Sequence, residues 1–109
     1  MNTQGWTRGL MAKNMEDEKF LNHVIDCIGR EFDIDVNVCK KDKDYIVNVG
    51  EYKVKVTMVD VTIYKGKGPY NLDRFILEGL MGQGFEVDRE GSGYLRYCFW
   101  GRGKSEGSL

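Results

Sequence analysis

The sequence has little of several residues from which recognisable sites are built. It contains one proline, Pro69, one histidine, His23, and three cysteines, Cys27, Cys39 and Cys98. An odd number of cysteines without paired spacing argues against a disulfide framework and against a zinc site. We therefore expect reduced thiols in a cytoplasmic protein, with no metal and no cofactor.

The sequence also lacks an excess of either charge and any long apolar run. Lysine and arginine total 16 against 17 acidic residues, so no overall field attracts nucleic acid or a membrane, and such affinity has to come from a local patch. The apolar run from Tyr94 to Trp100 is interrupted by Arg96 and is far shorter than the roughly 20 residues that span a bilayer. No membrane contact is predicted.

The chain of 109 residues has the length of one domain, and its hydrophobic fraction of 41% is typical of a folded protein. Residues 1–13 show no sustained apolar period, which predicts a flexible N-terminal leader. Residues 101–109 are rich in glycine and serine, which predicts a flexible C-terminal tail. The single domain is accordingly predicted to run from residue 14 to residue 100.

A helix and a three-stranded meander are predicted in the first part of the domain. Asn14 can cap the helix. Its apolar face repeats at three- and four-residue spacing: Phe20, Leu21, Val24, Ile25, Ile28 and Phe32. From Ile34 the apolar period changes to two, which indicates a strand, and charged residues 40–44 form the next turn. A second strand ends at a tight reversal at Gly50, and a third begins at Tyr52.

The middle of the chain contains an irregular strand end and a second helix. The apolar face of the third strand changes parity between Met58 and Val59, which predicts a bulge or a strand break near Met58. A second helix is predicted to begin after Pro69, with Asn71 as its cap. Gly79 lies on the apolar face of this helix, which indicates either close packing on the sheet or early fraying.

A final hairpin is predicted from Phe85 through the turn at 88–93 to the alternating residues 94–100. The fold class is then α+β, a two-layer sandwich in the order α-β-β-β-α-β-β. It has a mostly antiparallel sheet of about five strands, with two helices on one face. The alternative is a winged helix over residues 71–100, with the last hairpin as the wing.

The leading functional hypothesis places a binding surface on the open face of this sheet. If every second residue of this strand, beginning with Leu95, faces the core, the residues between them project outward. Two lysines of the third strand would lie on the same outer face. The predicted binding residues are Tyr94, Arg96, Trp100, Lys53 and Lys55. Exposed aromatic and arginine side chains are enriched in protein interfaces, and an exposed sheet edge can pair two copies. This pattern predicts a small non-enzymatic regulatory module that binds a protein partner or forms a homodimer.

The alternative hypothesis is an anion site at the start of the second helix. Lysines among glycines before a helix N-terminus place cationic side chains and free N–H groups around one point. The predicted residues are Lys65, Gly66, Lys67, Gly68, Asn71 and Arg74. The ligand would be nucleic acid or a phosphorylated small molecule. Asp73 would repel an anion in the first turn of the helix.

An enzyme is the third hypothesis, and the sequence gives little support for it. His23 can act as a general base, but a solvated helix residue explains it as well. Asp33 and Asp35 share one strand parity, yet solvated strand residues account for them too. No nucleophile elbow, phosphate loop or dinucleotide fingerprint is present.

Overall fold

The computed structural model describes residues 3–102, and these form five helices and three strands. In chain order the elements are α1 (Thr3–Asn14), α2 (Asp17–Phe32), β1 (Val36–Lys41), β2 (Asp44–Val49), β3 (Tyr52–Thr57), α3 (Met58–Lys67), α4 (Asn71–Met81) and α5 (Gly93–Arg102). None of the helices in this part of the chain combines the length and the apolar character needed to cross a membrane.

The strands form an antiparallel meander in the order β1-β2-β3. Val47 of β2 lies opposite Val38 of β1 and Val54 of β3, and residues of this parity point into the core. Helix α2 contacts β1, while α3 and α4 contact β3. The opposite parity is exposed at Lys53 and Lys55 of β3 and partly exposed along β2. The sheet therefore has one face in the core and one face towards water.

The α+β class is confirmed, as are the elements with the clearest periodicity. The stripe predicted for the first helix is buried in α2, except for the partly exposed Phe32. The helix begins later than predicted, at Asp17, and Asn14 ends α1 instead of capping α2. Gly50 forms the predicted reversal with a φ of +58°, a conformation that glycine adopts without strain. Gly79 lies where a Cβ would approach Val54 Cγ1 to 3.2 Å, so it packs closely on the sheet.

The parity change at Met58 marks the start of a helix. Strand β3 ends at Thr57, whose hydroxyl accepts a hydrogen bond from the Asp60 N–H at 2.9 Å. The Asp60 carboxylate accepts one from the Thr57 N–H at 3.0 Å, which completes a capping box. Val61 is consequently buried on the inner side of α3. Of the two predicted alternatives, the strand break is right and the bulge is wrong.

The predicted final hairpin is wrong, and so are the five-stranded sheet, the number of helices and the element order. Residues 93–102 form α5, which begins after Ser92, whose hydroxyl accepts a hydrogen bond from the Leu95 N–H at 3.1 Å. Leu95, Cys98 and Phe99 are buried at helical spacing. Most residues of this segment are large and apolar, so its sequence fits the two-residue period of a strand as well as the 3.6-residue period of a helix. Without a hairpin there is no wing, so the winged-helix alternative is also wrong.

The described residues of the predicted leader are helical. Residues 3–14 form α1, which contacts α3. Most of the predicted C-terminal tail, residues 103–109, lies outside the described residues, while 101 and 102 end α5.

Candidate functional site

A buried ion pair joins the first helix to the rest of the protein. Arg8 of α1 is 3% exposed and Asp73 of α4 is fully buried. The guanidinium donates to both carboxylate oxygens of Asp73, from Nη1 at 2.6 Å and from Nη2 at 2.8 Å. Nη1 also donates to the Pro69 carbonyl at 2.7 Å. This two-pronged contact is the strong geometry for an arginine and a carboxylate.

Three more side chains contact this pair. The Tyr94 hydroxyl of α5 donates a hydrogen bond to Asp73 Oδ2. The Arg8 guanidinium lies over the Tyr70 ring, 4.5 Å from its centroid, and 5.4 Å from the centroid of Phe20. Asp73 also occupies the first turn of α4, where a helix favours negative charge. Helices α1, α4 and α5 thus meet at one carboxylate.

Burial and these contacts shift the pKa values of Arg8, Asp73 and Tyr94. Burial acts to lower the pKa of Arg8, but the hydrogen bonds and charge of Asp73 outweigh it and raise this pKa above its ordinary value. Burial raises the pKa of Asp73, while Arg8 and then Tyr94 act in the opposite direction. Burial also raises the pKa of Tyr94 well above its ordinary value, so its phenol stays protonated and donates.

Because Arg8 couples α1 to the core, the helical propensity of α1 should contribute to the stability of the whole fold. Gly9 lies within α1, and a Cβ there would meet no atom within 4 Å. We expect Gly9→Ala to raise the free energy of unfolding by about 0.5–1 kcal/mol in urea titrations. Gly29→Ala in α2 is the control, because its Cβ would lie 2.8 Å from Val36 Cγ2 and should destabilise the fold. A loss of stability in Gly9→Ala would contradict this account of α1.

A cavity of about 380 Å³ lies beside Arg8. Its other lining residues are Thr7, Met11, His23, Cys27, Tyr70 and Tyr94. Cys27 and His23 lie one turn apart on α2, with the Cys27 sulfur 3.6 Å from His23 Nε2. Burial, followed by the charge of Arg8, lowers the pKa of His23, so its imidazole is neutral at pH 7. The cavity therefore brings a thiol and a neutral base together.

A second feature is a pair of exposed apolar side chains on each of the contacting helices α1 and α3. Trp6 and Leu10 lie two positions either side of the buried Arg8, on the opposite side of α1. Val59 and Ile63 stand in the same relation to the buried Val61 of α3. Trp6 and Val59 are each 65% exposed, the largest exposure among the large hydrophobic residues that the structure describes. We call these four residues the α1/α3 face.

No protein-family model, curated protein or solved structure matches this chain.

The residues predicted for an open sheet surface lie in two separate places. Lys53 and Lys55 are on the exposed face of β3, as predicted. Tyr94, Arg96 and Trp100 are on α5, so the predicted aromatic row on the sheet is wrong. Tyr94 points its hydroxyl to Asp73, Arg96 donates to the Glu90 carbonyl at 3.1 Å, and Trp100 is 39% exposed.

The residues predicted for an anion site lie around the end of α3 and the start of α4. Lys65, Gly66 and Lys67 belong to α3 instead of a loop. Tyr70 is the N-cap residue of α4, and the predicted cap Asn71 is its first residue, its N–H donating to the Gly68 carbonyl at 3.5 Å.

The cations of this group have partners within the chain. Lys65 pairs with Asp17 at 3.1 Å, and Arg74 pairs with Glu78 at 3.1 Å. The Lys67 ammonium lies 5.0 Å from the centroid of the Tyr64 ring. The anion site remains a prediction, and the observed pairing of these cations weakens it.

Neither the Arg8–Asp73 pair nor the α1/α3 face was found from the sequence. The α1/α3 face had two local signals, a Thr-x-x-Asp capping box at 57–60 and the four-residue spacing of Trp6 and Leu10. The Arg8–Asp73 pair joins residues 65 positions apart and had no local signal. Among the described residues, no group of three or more His, Cys, Asp or Glu side chains is placed to hold a metal ion.

Proposed function

We propose that the protein is a small binding module of the cytoplasm that recognises a partner protein through the α1/α3 face. The observation that carries this proposal is that two contacting helices each expose an apolar pair directly opposite their buried side. Large apolar side chains exposed in this way are typical of protein interaction surfaces. The sequence hypothesis of a binding module is retained, but on a helical surface instead of the sheet.

The charge around the face favours an acidic partner. Helix α1 has no acidic residue between Thr3 and Asn14, and Lys13 follows Leu10 on the outer side. On α3, Lys67 follows Ile63 at four-residue spacing. Lys67 lies near the Tyr64 ring, but among the described residues neither lysine is paired with a carboxylate that would neutralise its charge. An amphipathic helix with apolar anchors and an acidic rim would match this arrangement in both respects.

The same charges argue against a second copy as the partner. A twofold dimer through the α1/α3 face would place the lysine-bearing rim of one copy beside that of the other. Like charges brought together at an interface cost affinity, so a monomer is expected in solution. A nucleic acid or a phosphorylated ligand could use the same lysines, but the exposed apolar pairs would then have no role.

The proposal can be tested with a designed peptide helix that has leucines at i, i+3, i+4 and i+7 and glutamates elsewhere. We expect Trp6→Ala to weaken its binding by about tenfold or more in fluorescence anisotropy, because a truncated anchor typically costs above 1 kcal/mol. Trp100→Ala, at an exposed tryptophan on α5, should change the affinity by less than about twofold. A peptide with lysine in place of glutamate should bind more weakly than the acidic one.

Four results would overturn this assignment. Equal sensitivity to Trp6→Ala and Trp100→Ala would show that the α1/α3 face is not the binding surface. Binding to vesicles containing phosphatidylserine, with none to the acidic peptide, would indicate a membrane surface. A dimer in light scattering that Trp6→Ala dissociates would indicate self-association. Trp6-independent binding to a phosphorylated ligand, lost in Lys65→Ala with Lys67→Ala, would favour the anion site.

A further inference from the structure

Cys27 is surrounded by basic groups from two helices. Its sulfur lies 3.6 Å from His23 Nε2, 3.6 Å from Arg8 Nη2 and 3.7 Å from Arg30 Nη2. His23 and Arg30 lie on α2, one turn before and one turn after Cys27, while Arg8 comes from α1. No acidic side chain is hydrogen-bonded to this sulfur in the described part of the chain. Arg8 and Arg30 also pair with Asp73 and Asp26, but each directs an N–H at the sulfur as well. Negative charge that develops on the sulfur would therefore be stabilised by two guanidinium groups.

The three cysteines differ in what surrounds them. Cys27 is half-buried and lines the cavity beside Arg8, which gives a small molecule access to it. Cys98 is buried, and burial raises the pKa of its thiol far above the ordinary value. Cys39 is exposed on β1, and the only hydrogen-bond contact of its thiol among the described residues is Asn37 Oδ1 at 3.9 Å. Exposure alone would make Cys39 the most reactive of the three.

We infer that Cys27 is a modification site for hydrogen peroxide, with His23 as its base and with Arg8 and Arg30 stabilising the negative charge of the reaction. A nucleophilic cysteine beside a histidine, in basic surroundings and open to a cavity, has the arrangement that supports attack on an electrophile. The role of such a site would be to sense an oxidant. It is independent of the α1/α3 face, which does not include Cys27.

The reaction balances with peroxide as the oxidant. His23 Nε2 accepts the thiol proton of Cys27, and the sulfur attacks one peroxide oxygen. A sulfur–oxygen bond forms, the oxygen–oxygen bond breaks, and hydroxide leaves and takes the proton back from His23 as water. The sulfur is oxidised from thiol to sulfenic acid, and the peroxide is reduced. A neutral imidazole is required for the first step, and the lowered pKa of His23 supplies it at pH 7.

The test uses the full reduced chain, treated with hydrogen peroxide in the presence of dimedone, which traps sulfenic acid. Mass spectrometry of the peptides measures the rate at each cysteine. We expect Cys27 to be labelled about tenfold faster than Cys39, despite its lower exposure. Cys98 should stay unlabelled while the fold is intact, so it serves as an internal control for unfolding.

Two variants separate the proposed roles from simple access. We expect His23→Gln to slow the labelling of Cys27 by about tenfold or more and Arg30→Gln to slow it by about threefold, because each removes a group that acts on the sulfur. Cys39→Ser should leave the rate at Cys27 unchanged. The inference is overturned if Cys39 reacts at least as fast as Cys27 in the wild type. It is also overturned if neither His23→Gln nor Arg30→Gln slows Cys27. If His23→Gln unfolds, Cys98 will be labelled. The inference is then decided by the rates of Cys27 and Cys39 in the wild type and by the rate of Cys27 in Arg30→Gln.

Discussion

Asp73→Ala should lower the free energy of unfolding by about 3–5 kcal/mol, the largest loss expected from any single charged residue of this chain. The substitution leaves the Arg8 guanidinium without its counter-charge at a position that is 3% exposed. It also removes the acceptor for the Tyr94 hydroxyl and the acidic residue in the first turn of α4. All these effects have the same sign.

Urea unfolding followed by circular dichroism and by tryptophan fluorescence would measure this loss. Asp26→Ala is the matched control, because Asp26 also pairs with an arginine, Arg30, but at an exposed site where both side chains are about two-thirds accessible. An exposed pair of this kind contributes about 0.3–0.5 kcal/mol. Equal losses in Asp73→Ala and Asp26→Ala would contradict the burial of the Arg8 pair.

A double replacement distinguishes the cost of an unpaired charge from the value of the pair itself. Arg8→Met combined with Asp73→Leu removes both charges and keeps much of the buried volume. We expect the double variant to be more stable than either single variant, because an apolar pair often replaces a buried ion pair with little loss. A double variant as unstable as the sum of the two single variants would show that the pair is stabilising in its own right.

The sequence was most informative where hydrophobic period and turn chemistry agree. Helix α2, the meander β1-β2-β3 and helix α4 each have one apolar face with a clear period, and Gly50 supplies a turn that few other residues make. In these segments the local pattern and the tertiary packing select the same structure.

Helices α1, α3 and α5 could not be predicted from local hydrophobic periodicity. In α3, Val59 and Ile63 are apolar but exposed, so they mimic the continuation of a strand. In α5, residues on both faces are large, and only the Ser92 cap favours a helix over a strand. In α1, the decisive contact is Arg8 with Asp73, which lies 65 residues further along the chain. A prediction from single windows has no access to such a pair.

For the candidate sites, too, contacts within one helix could be predicted and contacts between distant segments could not. The four-residue spacing of His23 and Cys27 on a predicted helix was visible in the sequence, since residues so spaced share one side of a helix. The contribution of Arg8 to the same sulfur was not, because it comes from a segment predicted to be flexible. The predicted surface of Tyr94, Arg96 and Trp100 is wrong because it assumed a strand. Alternate residues point to the same side of a strand, but in the helix α5 they do not.

Tyr94→Phe is expected to lower the free energy of unfolding by about 1.5–3 kcal/mol, the usual contribution of a hydrogen bond to a charged group. The phenol donates to the fully buried carboxylate of Asp73, and phenylalanine leaves that oxygen with one donor fewer. The ring itself is kept, so the edge-to-face contact with Tyr70, at 6.2 Å between centroids, should persist. The loss therefore reports the hydroxyl alone.

Tyr97→Phe provides the control on the same helix. The Tyr97 ring stacks on Tyr70 at 5.2 Å between centroids, and its hydroxyl makes no hydrogen bond in the part of the chain that the structure describes. Its replacement should change stability by less than about 0.5 kcal/mol in the same urea titrations. If residues 94–100 formed a strand with Tyr94 facing water, neither phenylalanine variant would lose stability. A loss in Tyr94→Phe alone would support both the helical α5 and its contact with the buried carboxylate, because only a helix buries Leu95, Cys98 and Phe99 while turning Tyr94 towards Asp73.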